Sequence, residues 1–298
     1  MTQACCFGIL NVDKPKGFTS HDVVAKLRKI LNTKKIGHTG TLDPMATGVL
    51  PVCIGKATKI IQYLDSSKAY RAFIKLGVIT DTYDLEGKII SSTPVEFDLE
   101  KIKAELEFFK GEIEQRPPMY SAIHYNGKRL YEYARSNIEI EDIPTRKVVI
   151  NSINLVEVLD RDTDNPVVVV DIDCSGGTYI RSIAYDLGQK LGYGACLSGL
   201  IRTKSDKFTI DKSNTIEDIE KIAKEGRINE IILNPANIIN LKSISINDNQ
   251  LDKIIKGQCI SVEEAFDEGE KVQLIYQDKL AGIAQSKNNM IWPVNVLI

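Results

Sequence analysis

The chain has 298 residues, of which 43% are hydrophobic and 26% are charged, and its net charge is −2. These values are typical of a soluble globular protein of about two domains, and the net charge alone argues against a strongly basic nucleic-acid binder. No apolar run approaches the ~20 residues of a membrane span and no secretory signal is evident, so we expect a cytoplasmic protein without membrane association.

Positive charge is concentrated near the N-terminus. Residues 1–60 carry nine Lys and Arg against three Asp and Glu, a net charge of +6, so the remaining residues carry −8. A basic segment suits a polyphosphate substrate, but the same cations could form the solvated face of a helix. Charge alone supports the two interpretations about equally.

The residues that usually hold metals or nucleotides do not form a recognisable motif. The six cysteines contain no C-x-x-C pair and the three histidines lie far apart, so we expect reduced thiols and no metal site. The segment Gly55-Lys56-Ala57-Thr58 is not a phosphate loop, because Ala57 stands where that motif needs Ser or Thr. We therefore expect no nucleotide cofactor.

In chain order, the hydrophobic patterns predict an α+β protein. The predicted strands are 7–13, 49–54, 68–77, 148–159, 167–174, 271–276, 279–286 and 291–297. The predicted helices begin after residue 19 or 20, at 55, at 98 (to 110), at about 175 (to about 190) and at 247 (to 256), with a strand and two short helices within 206–236. A boundary near 236–245 separates a large domain, 1–236, from a small and mostly β domain, 245–298.

The loop between residues 37 and 50 contains an isolated carboxylate. Asp43 is the only acidic residue between Val23 and Leu64. Three glycines and Pro44 predict a tight loop that holds this side chain in one orientation, as a nucleophile or a general base requires. From the loop alone, a turn-forming or capping aspartate is the commoner interpretation.

The segment 115–135 differs from its surroundings in composition. It contains Pro117-Pro118, four tyrosines and the pair Lys128-Arg129. Aromatic rings interleaved with cations favour contact with unstacked bases and phosphates, so we predict an RNA-contacting insertion over about 115–140. The alternative is a surface hairpin whose tyrosines pack on the protein body.

Three sequence blocks carry a family resemblance. The blocks Gly8-Ile9-Leu10-Asn11-Val12-Asp13-Lys14-Pro15-Lys16-Gly17 and Gly37-His38-Thr39-Gly40-Thr41-Leu42-Asp43-Pro44 resemble the N-terminal signature of the bacterial tRNA pseudouridine-55 synthases, and Gly177-Thr178-Tyr179-Ile180-Arg181 resembles a later block. The resemblance implies a pseudouridine synthase fold, in which helices flank a mixed and mainly antiparallel sheet, with a C-terminal RNA-binding domain of PUA type.

The resemblance also implies the activity and its chemistry. It points to isomerisation of one uridine in the T-arm loop of tRNA, with the base flipped out of the RNA and without redox cofactor, nucleotide or metal. Asp43 matches the catalytic aspartate, and whether it attacks the sugar carbon or removes a ribose proton stays open. Arg181 matches the arginine that pairs with this aspartate, and Tyr70 matches the tyrosine that can stack on uracil and help to remove the C5 proton. By pattern alone, Arg181 would be a helix-surface cation and Tyr70 a core aromatic.

Further residues take substrate-binding roles by the same resemblance. His38 matches the histidine that fills the space left by the flipped base, Lys14 and Pro15 position the loop, and Tyr179 lines the uracil pocket. Leu200 is a looser match for the same pocket, because 197–202 departs from the family pattern.

Two alternatives remain from the sequence. One is a related synthase that works through a guide-RNA particle, which the compact C-terminal domain and the absence of a long basic tail disfavour. The other is a non-catalytic RNA-binding protein or tRNA folding chaperone on the same scaffold, which the joint presence of Asp43, Tyr70 and Arg181 disfavours as the sole role. We expect a monomer.

Overall fold

The fold is taken from a computed structural model that describes residues 7–136, 138, 140 and 142–298. Two of the cysteines expected to be reduced, Cys5 and Cys6, lie outside the described residues.

Strands and helices are interspersed along the chain. The strands are β1 (Gly8–Lys14), β2 (Ile36–His38), β3 (Thr47–Ile54), β4 (Lys68–Leu76), β5 (Val78–Thr80), β6 (Ile89–Ser92), β7 (Gly111–Gln115), β8 (His124–Tyr125), β9 (Lys128–Arg129), β10 (Arg146–Leu159), β11 (Val167–Cys174), β12 (Ala195–Ser205), β13 (Phe208–Thr209), β14 (Lys242–Ser245), β15 (Lys271–Tyr276), β16 (Lys279–Lys287) and β17 (Met290–Val296). The α-helices are α1 (Ser20–Ile30), α2 (Leu99–Glu107), α3 (Leu130–Arg135), α4 (Ile180–Leu191), α5 (Ile216–Lys224) and α6 (Asp248–Ile255). Short 3₁₀ helices occupy Gly55–Tyr63, Ile210–Lys212, Ile228–Glu230 and Pro235–Asn237.

Helix α1 shows how local sequence sets a boundary. Thr19 accepts a hydrogen bond from the backbone N–H of Asp22, and the Asp22 carboxylate accepts one in return from the Thr19 N–H. This capping box satisfies two N–H groups that a helix start leaves unpaired. Val23, Val24 and Leu27 then fall on one buried face, as their helical spacing predicts.

By its internal contacts the chain forms two compact units. The first unit contains residues 1–44, 48–65 and 206–298, and the second contains 45–47 and 66–205. The boundary expected near 236–245 stays a prediction.

The second unit is built on an antiparallel sheet with the strand order β12-β4-β11-β10-β7. Along β4, alternate residues from Lys68 to Leu76 are buried, which is the pattern of a strand with one face in the core. Helix α4 packs against β12 and β4. Helix α4 therefore lies against these two neighbouring strands of the sheet.

In the first unit, the N-terminal and C-terminal parts of the chain share one core. Strand β3 pairs antiparallel with both β1 and β2. A buried cluster joins Ile9 and Val49 of these strands to Leu280 and Ile283 of β16 and to Leu297. The last strands thus complete the core of the first ones.

The C-terminal strands also form a sheet of their own. Its order is β14-β15-β16-β17, with β14 and β15 parallel and the other pairs antiparallel. The predicted fold class is confirmed: the molecule is α+β, its ladders are mainly antiparallel, and its C-terminal part is mostly β.

Several elements differ from the sequence-based expectations. The helix expected at residue 55 is a 3₁₀ helix, and the long strand β12 and the hairpin β5–β6 were not predicted. Strand β12 contains Gly199 and two bulges, so its hydrophobic alternation is interrupted. A period-2 pattern cannot reveal such a strand.

Candidate active site

Lys14 ties together the backbone around Asp43. Its side chain is fully buried, and its ammonium donates hydrogen bonds to the carbonyls of Pro15, Phe18 and Pro44, the last at 3.3 Å. The Pro44 carbonyl also accepts the Gly17 N–H at 2.8 Å. The residue that follows Asp43 is therefore held by two donors, one at the end of β1 and one in the turn after it.

Ser20 holds the other side of the same loop. Its hydroxyl accepts the Leu42 N–H at 2.8 Å and lies 3.2 Å from the Leu42 carbonyl, to which it donates, and the contact is buried. Leu42 and Pro44 flank Asp43, so both neighbours are fixed to the start of α1 or to the turn before it. Asp43 itself is half-buried. A carboxylate with fixed backbone and partial solvent access is preorganised for chemistry on a bound substrate.

His38 and Pro15 are two further predicted site residues of the first unit. His38 ends β2, opposite Val52 of β3, and is half-buried. Pro15 follows β1 and contributes one of the three carbonyls that Lys14 holds. That Lys14 and Pro15 position the loop for the substrate stays a prediction, for which these contacts give a structural basis.

Tyr70 and Leu200 lie on the same buried face of the second unit. Leu200 stands directly opposite Ala72, two residues from Tyr70 on β4, and Tyr70 is 9% exposed. Residues opposite one another in an antiparallel ladder point to the same side of the sheet. The structure thus brings together two side chains that the resemblance placed in one pocket.

Arg181 lies in the first turn of α4 and is 5% exposed. Its guanidinium donates to the backbone carbonyls of Tyr120 at 2.9 Å and of Thr82 at 3.3 Å, and lies 3.5 Å from the carboxylate of Asp84. The interpretation as a helix-surface cation is therefore wrong. A buried guanidinium with several acceptors has a fixed direction, which a pairing role requires.

Asp84 is a residue that the sequence did not single out. It is 3% exposed, and its carboxylate also accepts hydrogen bonds from the Thr82 hydroxyl and the Glu86 N–H. The sequence Thr80-Asp81-Thr82-Tyr83-Asp84 predicts a polar turn, and nothing local distinguishes this acid from Asp81. Its burial beside Arg181 is a tertiary property.

Tyr179 is the N-cap residue of α4, and its backbone is held on both sides by one side chain. Gln115 accepts the Tyr179 N–H at 2.7 Å and donates to its carbonyl at 3.0 Å. The Arg146 guanidinium lies 5.8 Å from the centre of the Tyr179 ring. Gln115 ends β7, so the start of α4 is fixed to the edge of the sheet.

Arg202 is a second residue that the sequence missed. It is 1% exposed, stands directly opposite Tyr70 in the β12–β4 ladder, and is hydrogen-bonded to the Tyr70 side chain. Burial lowers the pKa of the Arg202 guanidinium below its ordinary value, an effect that Tyr70 opposes. The sequence pattern predicts that an arginine in a strand is exposed, so no local signal indicates that Arg202 is buried.

The predicted RNA-contacting segment forms a short hairpin followed by a helix. Strands β8 and β9 pair, and α3 follows directly. Lys128 and Arg129 are exposed and lie 5.9 and 6.0 Å from the ring centres of Tyr133 and Tyr131, respectively. Both tyrosines are half-buried, so the surface hairpin and the stacked cations occur together.

Two kinds of feature are absent from the part of the chain that the structure describes. None of its helices combines the length and the apolar composition needed to cross a bilayer. Among the same residues, His, Cys, Asp and Glu form no group of three or more arranged to hold a metal ion.

Comparison with known proteins gives relatives that cover most of the chain. The chain is 44% identical over 265 residues to tRNA pseudouridine synthase B of Bacillus subtilis, covering 88% of this chain and 85% of the relative. It is 38% identical over 296 residues to tRNA pseudouridine synthase B of Chromobacterium violaceum, covering 97% and 94%.

Solved structures agree on the fold. One chain of a Cbf5-Nop10-Gar1 complex superposes with a TM-score of 0.71 at 29% identity, covering 94% of this chain and 78% of that one. A chain of an H/ACA RNP bound to a substrate RNA containing 2′-deoxyuridine gives 0.72 at 26% identity, covering 98% and 85%. The expected pseudouridine synthase fold is confirmed.

Family models account for most of the sequence. Residues 28–180 match the N-terminal domain of the TruB family pseudouridylate synthases, and residues 181–256 match the C-terminal domain of tRNA pseudouridylate synthase B. With a buried Arg181, a fixed loop around Asp43 and relatives of this kind along its length, the chain belongs to the TruB family of pseudouridylate synthases.

Proposed function

We propose that this protein is a tRNA pseudouridine synthase that isomerises a uridine of the T-arm loop, the residue 55 position implied by the sequence resemblance. The observation that carries the proposal is the loop of Asp43, whose two neighbours are held by buried contacts from Lys14 and Ser20. The relatives with this name are 38% and 44% identical, whereas the matched chains of the H/ACA RNP and the Cbf5-Nop10-Gar1 complex are 26% and 29% identical. These identities favour an enzyme that acts on tRNA directly.

In the proposed reaction Asp43 starts the rearrangement. The C–N glycosidic bond breaks, the uracil turns, and its C5 atom bonds to the same sugar carbon. Asp43 must be ionised for either of its two possible roles, attack on the sugar carbon or removal of a ribose proton. We assign Arg181 as the cation that favours this charged form, and a fixed buried guanidinium is suited to it.

We assign Tyr70 and its neighbours to holding the detached base. A Tyr70 ring on a buried sheet face beside Leu200 can stack on uracil and exclude water from it. Tyr179 lines the same pocket in this proposal, and His38 fills the place of the base that leaves the RNA stack. The scheme uses no cofactor, and a monomer suffices for it.

We assign the β8–β9 hairpin to contact with the RNA backbone. Lys128 and Arg129 are exposed on a short two-stranded turn and lie near tyrosine rings, so they can approach phosphates while the rings remain available to bases. With tRNA as the proposed substrate, we propose that the protein acts in the cytoplasm, the location expected from the sequence.

The central test measures tritium release from tRNA labelled at C5 of uridine, together with mapping of the modified position. Wild-type protein alone should release tritium from one uridine of the T-arm loop. Asp43→Asn should reduce release by at least about 10⁴-fold while tRNA binding stays within about threefold, because the change removes a charge needed in the reaction and keeps the shape of the side chain.

Asp211→Asn is the matched control for this test, since Asp211 is an exposed carboxylate of the same unit. It should leave turnover unchanged. Retained turnover in Asp43→Asn would remove that residue from catalysis. Binding of tRNA by the wild type without any tritium release would instead support the non-catalytic chaperone.

A second test addresses the hairpin. Lys128→Gln combined with Arg129→Gln should raise KM at least tenfold at 150 mM salt and lower the salt dependence of binding by about two phosphate contacts, with kcat little changed. Lys103→Gln combined with Lys147→Gln, two exposed lysines of the same unit, is the control. Equal effects of the two pairs would mean that the hairpin has no specific role in binding.

A further inference from the structure

Arg202 is a charged side chain placed where an apolar one would cost less. It is among the largest fully buried side chains of the described residues, with 1% exposure. Its surroundings on the sheet face include Tyr70 directly opposite on β4, and Leu200 two residues before it on β12. Burying a guanidinium usually costs more than burying an aliphatic side chain of similar volume. The arginine at this position therefore lowers the stability of the fold relative to an apolar side chain.

The backbone around Arg202 is also irregular. The β12–β4 register shifts between Leu197 and Gly199 and again between Arg202 and Lys204, so two bulges bracket the stretch from Leu200 to Arg202. A bulge re-aims the side chains next to it, and bulges are frequent near active sites. Here they set the directions of the two β12 side chains that lie on the Tyr70 face.

The opposite face of the same strands shows what an ordinary arginine does in this sheet. Arg71, next to Tyr70 on β4, is partly exposed and makes a two-point ion pair with Asp171, with both N–O distances at 2.8 Å. Arg202 has a tyrosine hydroxyl as a neighbour in its ladder and is hydrogen-bonded to it. The two arginines thus differ in burial, and Arg202 is the one that contacts Tyr70.

We propose that Arg202 is a positioning residue for Tyr70: its buried guanidinium donates to the phenol oxygen, fixes the ring against the uracil, and stabilises the oxygen as acceptor of the C5 proton. This inference rests on the proposed function. Once C5 is bonded to the sugar carbon, the C5–H bond breaks and its electron pair forms the C5=C6 double bond. The N1=C6 electron pair moves to N1, which takes a proton from solvent. Tyr70 enters this step as its phenolate, which the guanidinium stabilises, and leaves it as the phenol. The phenol then returns its proton to solvent, so the protons balance.

Arg202→Met and Arg202→Lys, each alone and with Tyr70→Phe, test the proposal in the full-length protein. The measurements are the single-turnover rate of C5 tritium release, the dissociation constant for tRNA and the C5-deuterium isotope effect. Arg202→Met should slow release about 10²-fold with tRNA affinity within about threefold, and should raise the isotope effect because proton removal becomes slower. Arg202→Lys should recover at least about tenfold of the lost rate, since it restores a donor and a charge.

Coupling to the tyrosine separates positioning from general support of the sheet. In the Tyr70→Phe background, Arg202→Met should change the rate less than about threefold, because the oxygen on which it acts is absent. Arg71→Met is the matched control, an arginine of the same strand pair on the opposite face, and it should leave the rate unchanged.

The outcomes are distinct. Independent, additive losses from Arg202→Met and Tyr70→Phe, or a loss confined to tRNA affinity, would overturn the positioning role. If Arg202→Met does not fold, the same decision falls to Arg202→Lys, whose loss of rate must disappear in the Tyr70→Phe background. Absence of tritium release from the wild type would instead refute the proposed function itself.

Discussion

At the scale of single residues, the pair of Arg181 and Asp84 makes the sharpest prediction. Their side chains are 6% and 5% exposed and approach to 3.5 Å. Removing one partner of a buried ion pair is costly because the other charge stays buried. Asp84→Asn should lower the free energy of unfolding by about 3 kcal/mol in urea titrations, and should lower kcat more than tRNA affinity because Arg181 loses part of its support.

Glu112→Gln is the control for that change. Glu112 pairs with Lys147 at 2.8 Å, but the two side chains are 58% and 68% exposed, so water screens them. Its loss should cost less than about 1 kcal/mol. If the two substitutions cost the same, the Arg181–Asp84 contact does not stabilise the second unit.

At the scale of elements, the position of α4 depends on the glycine at 188. A Cβ there would lie 2.0 Å from the backbone N of Ala195 and 2.3 Å from the carbonyl carbon of Gly194, so the helix touches the start of β12 without a side chain between them. On a solvated helix, Gly→Ala stabilises by about 1 kcal/mol. Gly188→Ala should do the reverse, with a loss of at least about 2 kcal/mol.

The same substitution should shift α4, the helix that carries Arg181 in its first turn, so turnover should fall with stability. Gln189→Ala, at the exposed neighbouring position, should be neutral or slightly stabilising. Urea unfolding of the wild type and of the two variants gives the sign of each change in the free energy of unfolding. A stabilised Gly188→Ala would show that α4 and β12 are not in this close contact.

At the scale of the whole molecule, the C-terminal strands are part of the first unit's core. Leu280, Ile283 and Leu297 are in one buried cluster with Ile9 and Val49. A chain that ends at residue 240 would expose that cluster, and each large apolar side chain left without partners costs several kcal/mol. We expect such a chain to lose cooperative unfolding by circular dichroism rather than simply to bind tRNA more weakly.

Val272→Ala in the full-length chain is the companion measurement, because Val272 belongs to a different cluster within the C-terminal sheet. It should lower stability and keep a single cooperative transition. A truncated chain that stays folded and active would instead support an independent C-terminal domain, as the boundary predicted at 236–245 implies.

Some features of the fold follow from short stretches of sequence. The capping box at Thr19 and Asp22, the alternation of β4 and the left-handed Gly192 that ends α4 all follow from residues within one or two turns of chain. The resemblance carried by the blocks around Asp43 and Arg181 supplied the family. Each of these signals lies in a contiguous stretch, so no knowledge of distant neighbours was needed.

Long-range packing alone sets which other residues are buried next to the proposed site residues. Asp84 lies in a predicted turn and Arg202 in a stretch where no strand was predicted, but long-range packing places them beside Arg181 and Tyr70. The register of β12 depends on bulges and on pairing with β4, more than 100 residues away in the chain. Burial and partner choice are properties of the folded contacts, and a linear pattern contains neither.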